Sequence, residues 1–270
     1  MSVDLMSENR ELILRCDADD YVAADAAMAR MGAVILEDLI PSEWCDELLS
    51  DFQVPLDEIT LGEDVLGYRE GFHGALTKRL HGLFRWSNRL SEVVLHPTLM
   101  TMVDALVVAK SGARSFRLSN AELMVIYEGQ GRQVLHRDSA SWPTATSGAG
   151  GVRLLNVIVA LTPFTERQGA TRLVPGSHEW PACVVPQPES SVVASMQKGS
   201  ALLYSGDLWH GGGAHQGDAP RAGLYFGFIP SWLKPLENHV VTNGQRVVER
   251  LPERLQQLLD VEQSGFTVYA

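Results

Sequence analysis

The spacing of apolar residues changes near residue 115, and the part before this point has helical patterns. Residues 23–30 favour a helix that ends near Gly32. Segment 41–49 opens with Pro-Ser-Glu, and a proline with an acidic neighbour is typical of the first turn of a helix. A third helix is predicted over residues 97–107.

Short apolar runs separated by glycines and other turn residues fill the chain from residue 115 onward. Residues 32–40 have the same β-branched, apolar character and predict an earlier strand. Many short strands at this spacing indicate an all-β sandwich or barrel. The later runs are SFRLSNAELMVIYE, RQVLHRD, VRLLNVIVALT, ATRLVPGS, SALLYSG and RAGLYFGFI.

The length and composition fit one globular domain over residues 1–270. A chain of this length buries a substantial core, and 45% hydrophobic with 20% charged residues is ordinary for such a domain. We predict a mostly helical N-terminal part over residues 1–110 around a β core over 115–235. A last helix is expected over residues 252–259.

Charge and cysteine content exclude several kinds of partner. The formal charge of -11, from 22 basic and 33 acidic residues, argues against broad binding to nucleic acid or to anionic lipid. No stretch approaches the roughly 20 apolar residues that span a bilayer, and the first residues are acidic, unlike a signal peptide. Cys16, Cys45 and Cys183 are sparse and odd in number, which fits a reducing compartment. We therefore predict a cytoplasmic protein.

His136, Asp138 and His210 are the candidate metal ligands. In an extended strand His136 and Asp138, two residues apart, point to the same side. With His210 they would form two histidines and one carboxylate, the set typical of non-haem Fe(II) oxygenases. Three glycines follow His210 and let the backbone approach a ligand closely. The alternatives are a surface turn capped by Asp138, a loop histidine without function, and His215 as the second imidazole.

Arg221 is the candidate anion-binding residue. It begins the apolar run AGLYFGFI, and an arginine in a buried strand needs an anionic partner because an unpaired buried charge is costly. Its planar guanidinium suits a carboxylate, so a dicarboxylate co-substrate fits. The alternative is an internal salt bridge to one of the acidic residues.

Several segments taken together resemble the phytanoyl-CoA dioxygenase family of Fe(II)/2-oxoglutarate-dependent oxygenases. The similarity covers roughly residues 75–230, and the segments follow one another at family-like spacing. The most distinctive are LHRD and GATRLVPGSH. The matching parts are TKR at 77–79, QVLHRD at 133–138, LNV and ALT within 155–162, GATRLVPGSH at 169–178, His210 and Arg221.

This resemblance implies a mainly β fold with flanking helices and a double-stranded β-helix (jelly-roll, cupin-like) core. It also implies Fe(II) on His136, Asp138 and His210, with 2-oxoglutarate chelating the metal and Arg221 holding its far carboxylate. Other positions that match co-substrate contacts of related enzymes are Gln133, Thr171 and Arg79.

The implied reaction uses O2 to convert 2-oxoglutarate into succinate and CO2 while a small-molecule substrate is oxidised. Hydroxylation is the leading outcome, with desaturation or rearrangement as variants, and Asp138 disfavours halogenation because halogenating relatives have a small residue there. The N-terminus offers no basic cluster of the CoA-binding kind, which favours a small natural product. The alternative is an acyl-CoA or amino-acid-derivative hydroxylase of the same family. A cupin dioxygenase independent of 2-oxoglutarate and a non-catalytic β-sandwich binding module stay open, as does a homodimer.

Two further features bear on the substrate. Residues 143–151, PTATSGAGG, are either a lid over the substrate or a long hairpin connection. Trp142, Trp209 and Tyr225 either line a substrate pocket or belong to the core.

Overall fold

The computed structural model describes residues 13–61, 70–142 and 152–260, and the strands within these ranges form two sheets. The larger sheet has seven strands and the smaller one has three. In spatial order the larger sheet contains β1 (Arg15–Asp17), β2 (Ala33–Glu37), β8 (Ala201–Ser205), β5 (Leu155–Ala160), β10 (Arg221–Pro230), β4 (Phe116–Ile126) and β3 (Thr77–Leu80). The smaller sheet contains β7 (Val192–Val193), β6 (Thr171–Leu173) and β9 (His210–Gly212).

Helices flank the larger sheet at the start and the end of the described chain. The first, α1, begins after Asp20, whose side chain accepts from the Ala23 N–H, and ends where Gly32 adopts a left-handed φ of 74°. The helices are α1 (Tyr21–Met31), α2 (Ser42–Glu58), α3 (Glu70–His73), α4 (Arg89–Val94), α5 (Pro97–Val103), α6 (Ala109–Ser111), α7 (His239–Asn243), α8 (Gln245–Val248) and α9 (Glu253–Leu258). A π-helical segment, Asp104–Val108, joins α5 to α6, and 3-10 turns lie at Leu83–Arg85, Asp138–Ser141, Ser177–Glu179 and Pro188–Ser190.

Alternation of side chains along the strands builds an apolar core on each face of the larger sheet. On β10, Leu224 and Phe226 belong to the core shared with the helices, whereas Tyr225 belongs to the core between the two sheets. On β5, Val157 and Ile158 divide in the same way. This arrangement is a double-stranded β-helix flanked by helices, which confirms the predicted fold class.

The N-terminal part supplies strands as well as the predicted helices. The predicted strand over residues 32–40 is confirmed as β2, which pairs antiparallel with β8. Two further strands, β1 and β3, were not predicted, and they occupy the two edges of the larger sheet. The N-terminal part is therefore continuous with the β core through backbone pairing. Within the described ranges, no helix has the length and apolarity that crossing a membrane requires.

Candidate active site

Two backbone segments bring the predicted histidines together at one end of the space between the sheets. His136 and His210 form an isolated antiparallel bridge, in which each N–H donates to the carbonyl of the other at 2.8 and 3.0 Å. The predicted strand over RQVLHRD is wrong. This segment makes only the isolated bridge to His210 and no continuous ladder, and the partner strand β9 is only three residues long. Arg137 is nevertheless extended, with φ -122° and ψ 123°, so His136 and Asp138 still point to the same side.

The three candidate ligands meet at their side-chain tips. His136 Nε2 lies 3.3 Å from Asp138 Oδ1, and His210 Nε2 lies 3.2 Å from Asp138 Oδ2. One ligand atom from each of the three residues lies within 4.8 Å of the others. Both imidazoles and the carboxylate therefore face one point, as a shared cation requires.

Hydrogen bonds to the backbone orient both imidazoles with Nε2 toward this point. His136 Nδ1 lies 3.0 Å from the Val134 carbonyl oxygen, and His210 Nδ1 lies 2.9 Å from that of Leu208. Because a carbonyl oxygen only accepts, Nδ1 carries the hydrogen in each ring and Nε2 of the neutral imidazole offers a lone pair. These carbonyls hold the rings in the orientation that a metal ligand needs.

The charges at this point also favour a cation. Burial acts to raise the pKa of the Asp138 carboxyl, but His210 and His136 outweigh burial and hold the pKa well below its usual range. Burial acts to lower the pKa of His210, but Asp138 outweighs it and raises the pKa. The ionised carboxylate thus stabilises positive charge beside both rings. Two neutral imidazole nitrogens and one carboxylate fit Fe(II), the metal expected for this donor set.

The glycines after His210 allow backbones to pack closely around the site. A Cβ added to Gly211 would lie 3.1 and 3.2 Å from the carbonyl oxygens of Gln133 and Val134. A Cβ added to Gly213 would lie 2.8 Å from the carbonyl oxygen of Ala170. The sequence interpretation assigned these glycines to close approach of a ligand. The structure adds a packing role, because Gly211 and Gly213 let β9 approach its two neighbouring segments.

Gly213→Ala is expected to destabilise the protein while Gly212→Ala is tolerated. The new methyl group at Gly213 meets backbone that cannot rotate away, and overpacking of this kind costs about 1–3 kcal/mol. At Gly212 the nearest atom to the new Cβ is Gln133 Oε1 at 3.6 Å, an ordinary contact. The free energy of unfolding, measured by urea denaturation, checks the pair. Equal stability of the two variants would contradict the packing role.

Arg221 lies buried at the start of β10 without an acidic partner among the described residues. Arg221 is 2% exposed. Its Nη1 donates to the Gly169 carbonyl oxygen at 2.6 Å, and its Nε has no hydrogen-bond partner among the described residues. The guanidinium lies 4.4 Å from the centre of the Phe164 ring. Burial, and then the charge of Arg79, lower the pKa of Arg221 to about 10, so the group stays charged at neutral pH. Among the described residues, the alternative of an internal salt bridge is not realised.

A cavity of about 180 Å³ opens from the three candidate ligands, and the other predicted co-substrate residues line it. Thr171 is buried on β6. The Gln133 side chain accepts from the Gly212 N–H at 3.0 Å and donates to the Phe72 carbonyl oxygen at 3.3 Å. Arg79 donates to Glu122 at 2.8 Å. Gln133 and Arg79 therefore bond to other side chains or to the backbone, whereas the charge of Arg221 has no acidic partner among the described residues.

The predicted aromatic residues divide between the cavity and other parts of the fold. Tyr225 lines the cavity. Trp142 and Trp209 are not among the described residues that line it, so their place in a substrate pocket stays a prediction. The Trp142 indole donates to the Lys234 carbonyl oxygen at 3.1 Å, and Trp209 lies beneath the Arg137 guanidinium at 5.2 Å. The predicted lid or hairpin at residues 143–151 lies outside the described residues.

Sequence reasoning missed several polar residues of the strands at this site. Asn120 and Glu122, two apart within SNAELMVI, line the cavity, and Asn156, which interrupts the run LLNVIVA, hydrogen-bonds to Asp138. The signal was present, because a polar residue at an inward position of an otherwise apolar strand needs a partner or a ligand.

Comparisons with known proteins agree with the geometry. The sequence profile described as phytanoyl-CoA dioxygenase (PhyH) matches residues 28–223. Dioxygenase ALT11 of Alternaria alternata is 30% identical over 234 residues, covering 84% of this chain and 78% of the relative. Two solved structures share the fold: the non-heme alpha ketoglutarate dependent epimerase SnoN from nogalamycin biosynthesis (TM-score 0.61, 19% identity, 77% of this chain and 82% of that one) and HygX from Streptomyces hygroscopicus with nickel and 2-oxoglutarate bound (TM-score 0.60, 18% identity, 78% and 88%).

The fold, the three candidate metal ligands and the relatives together identify the protein as an Fe(II)/2-oxoglutarate-dependent dioxygenase. The chain belongs to the phytanoyl-CoA dioxygenase family, whose profile covers most of its length.

Proposed function

We propose that this enzyme hydroxylates an unactivated C–H bond of a small natural product. The observation that carries the proposal is the set of His136, Asp138 and His210 at the base of a cavity whose wall mixes apolar and polar side chains. Two structural neighbours support a natural-product substrate: SnoN comes from nogalamycin biosynthesis, and a structure of HygX has hygromycin B bound. Cytoplasmic location and the lack of nucleic-acid or membrane partners stay predictions from charge and cysteine content, and a homodimer stays untested.

The side chains divide the work between metal, co-substrate and substrate. His136, Asp138 and His210 would hold Fe(II), which supplies the chemistry that couples O2 and 2-oxoglutarate to substrate oxidation, with succinate and CO2 as co-products. Arg221 would bind the far carboxylate of 2-oxoglutarate through its guanidinium, and Thr171, which lines the cavity from β6, would contact the co-substrate. Gln133 and Arg79 would orient the co-substrate from the cavity wall.

Asp138 also argues against halogenation as the outcome of the reaction. Its carboxylate would fill the third protein-ligand position beside the two histidines. A halide would need that position, so we propose oxidation of the substrate without halogen transfer. Where a substrate hydrogen lies in the cavity then decides between hydroxylation, desaturation and rearrangement.

Isotope-labelled O2 tests the reaction class. With Fe(II), 2-oxoglutarate and a panel of candidate natural products, we expect one labelled oxygen atom in succinate for every turnover. The label enters the product only when oxygen is inserted, which separates hydroxylation from desaturation. Mass spectrometry of succinate and product is the measurement. Product formation without consumption of 2-oxoglutarate, or a chlorinated product in chloride buffer, would show that the reaction class is wrong.

A further inference from the structure

Asn156 links the candidate iron ligand Asp138 to Tyr225 through two short hydrogen bonds. The Asn156 side chain donates through Nδ2 to Asp138 Oδ2 at 2.9 Å. Its Oδ1 accepts from the Tyr225 hydroxyl at 2.7 Å. Asn156 is 0% exposed and Tyr225 is 9% exposed, so water does not compete strongly for either bond. The three side chains form one continuous hydrogen-bonded row.

The direction of this row follows from donor chemistry. An ionised carboxylate only accepts, so the NH2 group of Asn156 must face Asp138 and the amide oxygen must face Tyr225. Tyr225 is then the donor. Burial, followed by the charge of Asp138, raises the pKa of its hydroxyl well above the ordinary value, so the hydroxyl keeps its proton. Each hydrogen bond of the row therefore has one direction: Tyr225 donates to Asn156, and Asn156 donates to Asp138.

Asn156 and Tyr225 lie on β5 and β10, which are central strands of the larger sheet. This position makes the hydrogen-bonded row rigid. Asn156 on β5 lies opposite Gly227 of β10, and Tyr225 lies two residues before Gly227. A Cβ added at Gly227 would come within 3.1 Å of the Tyr225 hydroxyl oxygen. The glycine thus leaves the space in which the phenol reaches Asn156.

We propose that Asn156 and Tyr225 are positioning residues that engage Asp138 Oδ2 and leave Oδ1 as the oxygen offered to the metal. A carboxylate free to rotate can present either oxygen, or both, whereas a hydrogen bond from a rigid amide selects one. Tyr225 acts through Asn156, because its hydroxyl holds the amide in the orientation that donates to Asp138. The proposal rests on the iron site of the proposed function, and it gives Tyr225 a role other than contact with substrate.

Metal affinity in a double-mutant cycle tests the row. The variants are Asn156→Ala, Tyr225→Phe and the combination, and the probe is Ni(II), measured by competition with a chromophoric chelator. We expect Asn156→Ala to weaken Ni(II) binding by about 10- to 100-fold, the usual effect of losing an outer hydrogen bond to a metal ligand. Tyr225→Phe should weaken it less. The double variant should match Asn156→Ala, because Tyr225 acts only through Asn156.

Co(II) provides a second readout that a general loss of stability would not change. Its absorption spectrum at saturating metal reports ligand geometry, and we expect Asn156→Ala and Tyr225→Phe to alter that spectrum in the same way. Tyr127→Phe is the matched control. Tyr127 is a partly buried tyrosine that packs against the core shared with the helices and does not line the cavity. This control should leave Ni(II) affinity unchanged.

The outcomes separate this proposal from the iron site itself. If Asn156→Ala does not fold, Tyr225→Phe, which removes one oxygen atom, carries the test alone. Parent affinity and parent Co(II) spectrum in both single variants, or additive effects in the double variant, would overturn the row. A parent protein that binds no Ni(II) would instead overturn the metal site on which the row depends.

Discussion

Asp138→Ala and His210→Ala are each expected to abolish stoichiometric Fe(II) binding and substrate turnover. Each change removes one of three side chains that meet within 4.8 Å, and Asp138 is the only anionic member of that set. The loss of metal affinity should exceed the roughly 10- to 100-fold loss that follows removal of an outer partner. Iron content after anaerobic loading and desalting, measured by atomic spectroscopy, checks both variants.

His215→Ala is the matched control, because His215 was the rival imidazole in the sequence. The structure places it in a loop, where Nε2 bonds to the Ala219 carbonyl oxygen at 3.1 Å and Nδ1 accepts from the Gly217 N–H at 3.3 Å. Its removal should lower the melting temperature while iron content stays at one per chain. Retention of iron in His210→Ala, or its loss in a folded His215→Ala, would mean that the second imidazole is wrongly assigned.

Arg221→Leu is expected to raise the concentration of 2-oxoglutarate needed for half-maximal turnover by about tenfold or more. Loss of a charge-assisted contact in a buried site costs about 2–5 kcal/mol, and about 1.4 kcal/mol corresponds to a factor of ten. Arg221 is not a candidate metal ligand, so Fe(II) binding should be retained. Titration of 2-oxoglutarate against succinate release, together with iron content, is the measurement.

Arg172→Leu controls for the loss of a nearby positive charge. Arg172 lies beside Thr171 on β6, but its guanidinium bonds to Ser191, with Nε 2.9 Å from Oγ and Nη2 2.7 Å from the carbonyl oxygen. It should leave the 2-oxoglutarate requirement close to that of the parent. A parent-like requirement in Arg221→Leu, or an equal rise in both variants, would refute the role of Arg221.

The sequence predicts those parts of the fold that depend on local patterns. The helix ending at Gly32 and the long strand β10 follow from residue spacing alone. The short strand β9 could not be recognised, because its three residues, His-Gly-Gly, look like a turn until β6 pairs with them. The edge positions of β1 and β3 depend on strand order, which residue spacing does not contain.

The residues of the candidate site likewise divide into those that the sequence predicts and those that it does not. His136 and Asp138 form a local pattern, and Arg221 is an isolated charge in an apolar run, so both could be recognised in the sequence. The contacts of Asn156 with Asp138 and Tyr225 join residues that are far apart in the chain. The contact between Asn156 and Tyr225 depends on β5 and β10 being neighbours in the sheet. Backbone carbonyls as partners of the imidazoles have no sequence signature at all.

A crystal structure of the protein grown anaerobically with Fe(II) and 2-oxoglutarate tests the central claim most directly. We predict iron bound by Nε2 of His136, Nε2 of His210 and a carboxylate oxygen of Asp138, with 2-oxoglutarate on the metal. The far carboxylate of 2-oxoglutarate should lie within hydrogen-bonding distance of Arg221. Iron bound by other side chains, or a far carboxylate without contact to Arg221, would contradict the account.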